Sequence, residues 1–168
     1  LLEGTLAVLE TENDTYRPLD PLLGNLGGLL DFTEICPVIP TIVVPDLHAR
    51  ADFMLDILKY KPVIEETEID GSKNILDLMS LGRIRVVCVG DGLHSELKKL
   101  RWLEAYNDYE NENIVGNAMK QEMLEGLSLM ELVMRCKCSF PEYFHFLKGN
   151  HENIRNTNLH GNHPFRKY

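Results

Sequence analysis

Three short apolar runs divide the chain, and a polar cluster follows each of them. Each run is rich in β-branched or aromatic side chains, which predicts buried strands over residues 41–44, 84–89 and 143–147. Between the runs, apolar residues recur every three or four positions, which predicts helices over about residues 49–60, 75–81, 95–109 and 117–136. Strands that alternate with helices predict an α/β fold of parallel strands and crossover helices.

The start of the chain has a different pattern. Pro and Gly interrupt residues 18–40 at short intervals, so we expect no long regular element there. We therefore divide the chain into an irregular N-terminal extension, residues 1–40, and a main domain, residues 41–168. The leucines between Leu19 and Leu30 are expected to pack against the core of that domain. Parallel strands need layers on both faces, but only the predicted helices are available to cover this sheet. We therefore expect one face and one edge of the sheet to be poorly covered.

The charge balance argues against a polyanion as partner. The 168 residues contain 17 Lys and Arg against 26 Asp and Glu, a formal net charge of −9. Nucleic-acid binding needs clustered Lys and Arg, so no nucleic-acid patch is predicted. No apolar run approaches the roughly 18 residues of a membrane span. The four Cys are too sparse for a secreted disulfide framework, so we expect reduced thiols and a cytoplasmic protein.

The polar clusters that follow the three strands carry the candidate chemistry. They are Asp46-Leu47-His48, Gly90-Asp91-Gly92 and Gly149-Asn150-His151-Glu152. In parallel sheets, ligands bind beyond the carboxyl ends of the strands, so these clusters are expected to converge. Carboxylate, amide and imidazole ligands suit Mn, Fe, Zn or Mg. A carboxylate that two cations share would give the two-metal arrangement used for phosphoryl transfer.

The order and strand placement of these clusters resemble the calcineurin-like metallophosphoesterase superfamily. The resemblance covers roughly residues 41–168 and is nearest to the serine/threonine phosphoprotein phosphatase branch. The most specific part is the tract at 149–152, with Arg155 just beyond it. The resemblance implies the N-terminal half of a two-sheet sandwich and a dinuclear site that holds two divalent or trivalent metal ions, Mn, Fe or Zn.

The resemblance also implies a role for each site residue. Four residues are implied as metal ligands: Asp46, His48, Asp91 and Asn150. Of these, Asp91 would bridge the two metals. His151 would be the catalytic residue, facing the leaving oxygen, and Glu152 would orient the loop. The implied reaction is in-line attack of a metal-bound hydroxide on a phosphate ester, either a phosphoprotein or a small phosphomonoester.

Several positions depart from the family pattern. His94 stands where an Asp would orient the catalytic His, and Ser95 stands where an Arg would grip phosphate. His94 and Arg155 therefore stay open as substrate contacts. Pro45 and Ala49 both replace a Gly that commonly flanks the first motif.

The His ligands that complete the family's site have no counterpart in this chain. We therefore expect weak binding of the second ion and little turnover by these residues alone. The alternative is a catalytically decayed or truncated protein of the same fold that acts as a binding or regulatory module. The oligomeric state is open.

Overall fold

The computed structural model describes residues 1–24, 28–93, 95, 99–113, 115–149 and 151–152. Its helices are α1 (Leu2–Glu10), α2 (Ala51–Lys59), α3 (Ile75–Ser80), α4 (Lys99–Glu110) and α5 (Asn117–Ser139). Its strands are β1 (Thr41–Val44), β2 (Val63–Ile64), β3 (Ile69–Asp70), β4 (Arg85–Cys88) and β5 (Phe144–Phe146). None of these helices combines the length and the apolar character that a membrane crossing requires.

The three predicted strands form one parallel sheet in the order β1-β4-β5. Thr41 pairs with Arg85 at one end of the β1–β4 ladder, and Val86 pairs with Phe144 in the β4–β5 ladder. The predicted alternation of strands and helices is therefore confirmed as a mixed α/β fold. All three strands run in the same direction, so their carboxyl ends lie at one edge of the sheet.

One face of the sheet carries the hydrophobic core. Val44, Val86, Cys88 and Phe144 point to this face and are almost completely buried. The residues that pack on them from α2, α3 and α5 are Met54, Leu58, Leu78, Met79, Leu129 and Val133. In α2 the buried pair lies four residues apart, as an amphipathic helix requires.

Within the described residues, the opposite face of the sheet is only partly covered. Tyr16 and Phe32 of the N-terminal extension contact the ring of His145, with ring centroids 5.3 and 5.4 Å apart. Phe32 also lies under the guanidinium of Arg85, 3.9 Å from its ring centroid. On the neighbouring strand β1, Val43 remains 64% exposed. The extension thus covers β4 and β5 and leaves β1 open.

A buried cluster of charged side chains closes the outer edge of β5. Lys137 of α5 donates to the carbonyl oxygens of Pro141 (2.7 Å) and Phe144 (3.2 Å) and to the carboxylate of Glu12. The Phe144 carbonyl points away from β4, so Lys137 satisfies an edge group that would otherwise lie open. Glu12 also accepts from Arg17. One carboxylate therefore fixes the N-terminal extension to the sheet edge.

The cluster shifts the pKa values of its members. Burial raises the pKa of Glu12, but its side-chain contacts with His145 and Lys137 and the positive charges of Lys137 and Arg17 outweigh that effect and bring the pKa to about 2. Burial lowers the pKa of His145 below its ordinary 6.5; contact with Glu12 opposes this shift and the charge of Lys137 adds to it. Neutral His145 donates from Nε2 to the carbonyl of Glu142, 3.2 Å away.

The N-terminal extension differs from the prediction in two respects. Residues 1–40 were expected to be irregular, but the extension begins with α1, which packs against α5. The leucines expected in the core are largely exposed: Leu19, Leu22, Leu23 and Leu29. Tyr16 and Phe32 cover the sheet instead: Tyr16 packs edge-on against His145, and Phe32 packs tilted against His145 and under the Arg85 guanidinium.

The segment 63–72 also differs, because it forms a small hairpin of β2 and β3 that the sequence did not indicate. Two-residue strands are too short to show an alternation of apolar and polar residues, so the sequence pattern does not predict them.

We expect Lys137→Met to lower the free energy of unfolding by about 3 kcal/mol, because the buried Glu12 carboxylate then keeps only Arg17 as a cationic partner and the Phe144 carbonyl loses its donor. Urea denaturation measures the change. Arg135→Ala is the matched control: this α5 side chain is 65% exposed and pairs with Glu131 in solvent, so its removal should cost less than about 1 kcal/mol. Equal losses in the two variants would contradict the assigned role of Lys137.

The lowered pKa of His145 makes the stability of the fold depend on pH. Its contribution is complete above the unfolded pKa of 6.5 and is lost as the pH falls below that value, since the unfolded state then binds the extra proton. Urea midpoints between pH 7.5 and 5.5 should therefore decrease, and His145→Gln should flatten the decrease. Glu12 titrates lower, between 4.5 and about 2, so it does not interfere. An unchanged slope in His145→Gln would refute this assignment.

Candidate metal centre

The loops that follow β1 and β4 run side by side at the carboxyl edge of the sheet. Three main-chain N–H groups of the first loop donate to carbonyls of the second: Leu47 to Gly90 (3.3 Å), His48 to Asp91 (2.6 Å) and Ala49 to Gly92 (2.8 Å). Leu47 is fully buried in the core. The chain is anchored between Asp46 and His48, so both of these side chains are held at the sheet edge.

The first two loops bring together three potential ligands. Single ligand atoms of Asp46, His48 and Asp91 all lie within 4.8 Å of one another. Side-chain exposure decreases from Asp46 (53%) to His48 (14%), and Asp91 as a whole is 3% exposed. His48 Nε2 lies 4.0 Å from the nearer Asp46 oxygen. The site therefore has one open side and one buried side.

The donor set fits a cation. Metal–oxygen and metal–nitrogen bonds of about 2.0–2.2 Å place two ligands of one ion up to about 4.4 Å apart. The separation of up to 4.8 Å in the triad is close to that limit, so small side-chain rotations suffice to enclose an ion. Two carboxylates and an imidazole are the donors that suit Mn, Fe or Zn.

The third loop is bonded to the second through one carboxylate. Glu152 accepts the main-chain N–H groups of Asp91 (2.8 Å), Gly92 (2.7 Å) and Gly149 (2.7 Å). In addition, the N–H of His151 donates to Oδ1 of Asp91, at 2.8 Å. Glu152 therefore joins the loops after β4 and β5; the orienting role that the resemblance implies for it stays a prediction.

His151 lies beside the triad rather than within it. Its ring stands edge-on to the ring of His48, with centroids 5.8 Å apart and an interplanar angle of 70°. Its main chain is bound to Asp91, so the ring is held next to the cation site. Three further predicted site residues, His94, Asn150 and Arg155, lie outside the described residues.

The turn at the end of β4 has no room for side chains at its glycines. A Cβ at Gly90 would lie 2.9 Å from the Leu147 carbonyl and would collide with the main chain of Gly149. A Cβ at Gly149 would collide with Asp91 itself. Gly90 has φ of 113°, and Asp91 has φ of 50°. Close approach of the two loops, rather than turn geometry alone, therefore requires these glycines.

Two residues near the triad were not predicted to have a role. The guanidinium of Arg50 donates through Nε to the Leu47 carbonyl (3.1 Å) and through Nη2 to the Asp46 carbonyl (2.8 Å). Ser95 is 4% exposed, and its N–H donates to the buried carboxylate of Glu122 at 3.3 Å. Neither role has a signal in the sequence, since both depend on which carbonyl or carboxylate the fold brings close.

A cavity of about 410 Å³ lies next to the triad. It is lined by the end of the first loop, the start of α2, Ser95 and the middle of α5. His48 and Arg50 form part of its wall. A small organic group can therefore lie beside the cation site.

No family model matches the chain, and no curated protein or solved structure matches it.

We expect Gly149→Ala to abolish metal binding by the triad, because the added methyl group would displace Asp91. Calorimetric titration with Mn²⁺ measures the affinity. The control is Gly4→Ala in α1, where a Cβ would have no atom within 4 Å; helix propensity predicts unchanged or slightly raised stability there. Unaltered Mn²⁺ affinity in Gly149→Ala would show that the two loops do not pack as described.

Proposed function

We propose that the protein is a metal-dependent phosphoric ester hydrolase of the calcineurin-like metallophosphoesterase type. The observation that carries the proposal is the convergence of Asp46, His48 and Asp91 at the carboxyl edge of a parallel sheet. In this proposal, the observed sheet is part of a two-sheet sandwich. The four cysteines are all free, which is compatible with the proposed location in the reducing cytoplasm.

In the proposed centre, Asp46 and His48 would hold one metal ion, Asn150 would hold the second, and Asp91 would be a ligand of both. The ions, Mn, Fe or Zn, would lower the pKa of a bound water and neutralise charge that develops on the phosphate. Asp91 suits a shared ligand because its buried carboxylate is fixed by the His151 N–H through one oxygen. The open side at Asp46 leaves access for a phosphate ester.

The proposed role of His151 is proton transfer to the leaving oxygen. Its ring lies beside that of His48, so a phosphate held at the cation site would place its ester oxygen near the imidazole. A positioned general acid typically contributes about 10²–10⁴ in rate. Glu152 would serve this step indirectly, since it fixes the loop that carries His151.

The substrate would be a phosphoprotein or a small phosphomonoester. The cavity beside His48 provides space for the group that the phosphate esterifies. The net charge of −9 disfavours nucleic-acid substrates, since long polyanions need clustered basic residues.

A second function, a binding or regulatory module with a decayed site, is supported by one specific observation. Ser95, at the position where the resembled family has a phosphate-gripping Arg, is buried and bonded to Glu122. Its short side chain lacks the charge needed to hold a phosphate dianion. Under this alternative the protein binds metal, or a phosphorylated partner, without turnover.

Two variants of the full natural polypeptide test the proposal. We expect Asp91→Asn to lose bound metal and hydrolysis of an aryl phosphate together, because a neutral amide cannot bridge two cations as a carboxylate does. We expect His151→Ala to keep its metal content and to lose about 10²–10⁴ in turnover. Metal analysis and initial rates with added Mn²⁺ provide both measurements.

Each hypothesis has a distinct outcome in this experiment. Loss of metal in His151→Ala would place that imidazole among the ligands and refute its assigned role. Metal binding in the wild type without hydrolysis of aryl phosphates or phosphopeptides would favour the binding module. A wild-type protein that binds no Mn²⁺, Fe²⁺ or Zn²⁺ would refute the proposed enzyme.

A further inference from the structure

The loop that carries Asp46 and His48 is held on two sides by different partners. Its N–H groups at Leu47, His48 and Ala49 donate to the neighbouring loop after β4. Its carbonyl groups at Asp46 and Leu47 face the other way and accept from the guanidinium of Arg50, at 2.8 and 3.1 Å. Arg50 thus donates to two consecutive peptide carbonyls, one on each side of Leu47.

The guanidinium of Arg50 is itself held in place. Its carbon lies 4.8 Å from the centroid of the Phe53 ring, one helical turn along α2. The main-chain N–H of Arg50 also donates to the Leu47 carbonyl, at 2.9 Å. In the described part of the chain, the contacts of this guanidinium are with carbonyls and a ring, and it forms no ion pair. These contacts indicate that it holds the loop rather than balancing a carboxylate.

The loop needs such a support because its backbone is strained. His48 has φ of 45° and Ala49 has φ of 58°, the left-handed region that residues with a Cβ adopt at a cost. Two consecutive residues in this region persist only where the surroundings fix them. If the carbonyls before them were released, the loop would relax and His48 would turn away from Asp91.

We propose that Arg50 is a positioning residue that holds Asp46 and His48 in the geometry that binds metal. The inference rests on the proposed function, because it requires the triad to be a cation site. Residues that orient metal ligands typically contribute about 10- to 100-fold in metal affinity. Arg50 would do so through main-chain carbonyls of the ligand loop rather than through the ligand side chains.

Charge alone makes the opposite prediction. A guanidinium close to a cation site repels the cation, so its removal should tighten metal binding if charge were its only effect. Positioning predicts weaker binding when Arg50 is removed. The sign of the change in affinity therefore separates the two effects.

The test is calorimetric titration of the full natural polypeptide with Mn²⁺, and Co²⁺ absorption spectra that report ligand geometry. We expect Arg50→Ala to bind Mn²⁺ about 10- to 100-fold more weakly and to lose the Co²⁺ spectrum of the wild type. Arg50→Lys keeps the charge but cannot span two carbonyls as the planar fork does, so it too should bind more weakly. Arg135→Ala, an exposed arginine paired with Glu131, is the matched control and should bind like wild type.

A rescue variant tests the mechanism. Gly adopts the left-handed conformation of residue 49 at little cost, so Ala49→Gly added to Arg50→Ala should recover about fivefold in Mn²⁺ affinity. Simple loss of a surface contact would not be rescued in this way. If Arg50→Ala fails to fold by thermal melting, Arg50→Lys decides the question on the same criterion.

The outcomes distinguish this inference from the proposed function. Wild-type protein that binds no Mn²⁺ overturns both. Wild type that binds Mn²⁺, with equal or tighter binding in Arg50→Ala and Arg50→Lys, overturns the positioning role alone. Weaker binding in both variants with recovery through Ala49→Gly supports it, and weaker binding without recovery refutes the strained loop as its basis.

Discussion

The site depends on the hydrogen bonds that the Glu152 carboxylate accepts from the main chain. It accepts three main-chain N–H groups that belong to two loops, and charged hydrogen bonds of this kind are stronger than neutral ones. Those N–H groups lie at a turn where glycines at 90 and 149 let the backbones approach without side chains. With this carboxylate in place, His151 bonds to Asp91 and the loop after β1 pairs with the loop after β4. The Glu152 carboxylate adds to the bond that the Leu147 N–H donates to the Cys88 carbonyl at the ends of β4 and β5.

The N-terminal extension completes the sheet by a different physical route. Aromatic rings cover part of the second face, and Lys137 with Glu12 closes the edge of β5 by satisfying a carbonyl of the edge strand. A buried ion pair of this kind adds little net stability against an apolar replacement, but losing one partner is costly. Its effect is to specify where the extension docks. The described part of the extension does not cover β1, where Val43 remains exposed.

The candidate centre combines a rigid buried side with an exposed one. Asp91 is fixed and almost inaccessible, whereas Asp46 faces solvent. The first loop lies between them and carries the strain, with two left-handed residues and no glycine. The same loop holds two of the three ligands in the triad. Metal affinity is therefore expected to be sensitive to contacts that touch only the main chain of this loop.

The sequence by itself determined the strands, their alternation with helices and the edge at which the polar clusters meet. These features follow from local rules. Short apolar runs form buried strands, apolar residues three or four positions apart form helices, and parallel strands have their carboxyl ends at the same edge of the sheet. That is why Asp46, His48 and Asp91 were predicted together and lie within one ion's reach. The orienting role of Glu152 was implied only by the family resemblance of the third cluster.

Only the tertiary structure decided the remainder, because it depends on partners far apart in the chain. Three interactions show this: Glu152 accepts three main-chain N–H groups, Arg50 donates to two carbonyls, and Glu12 pairs with Lys137. The same residue types could form many other pairs, so the sequence does not indicate these partners. The helical start of the extension and the exposure of its leucines have the same origin. Apolar composition predicts burial in general, but the shape of the available surface selected Tyr16 and Phe32 instead, since their rings fit edge-on or tilted against His145 and, for Phe32, under the Arg85 guanidinium.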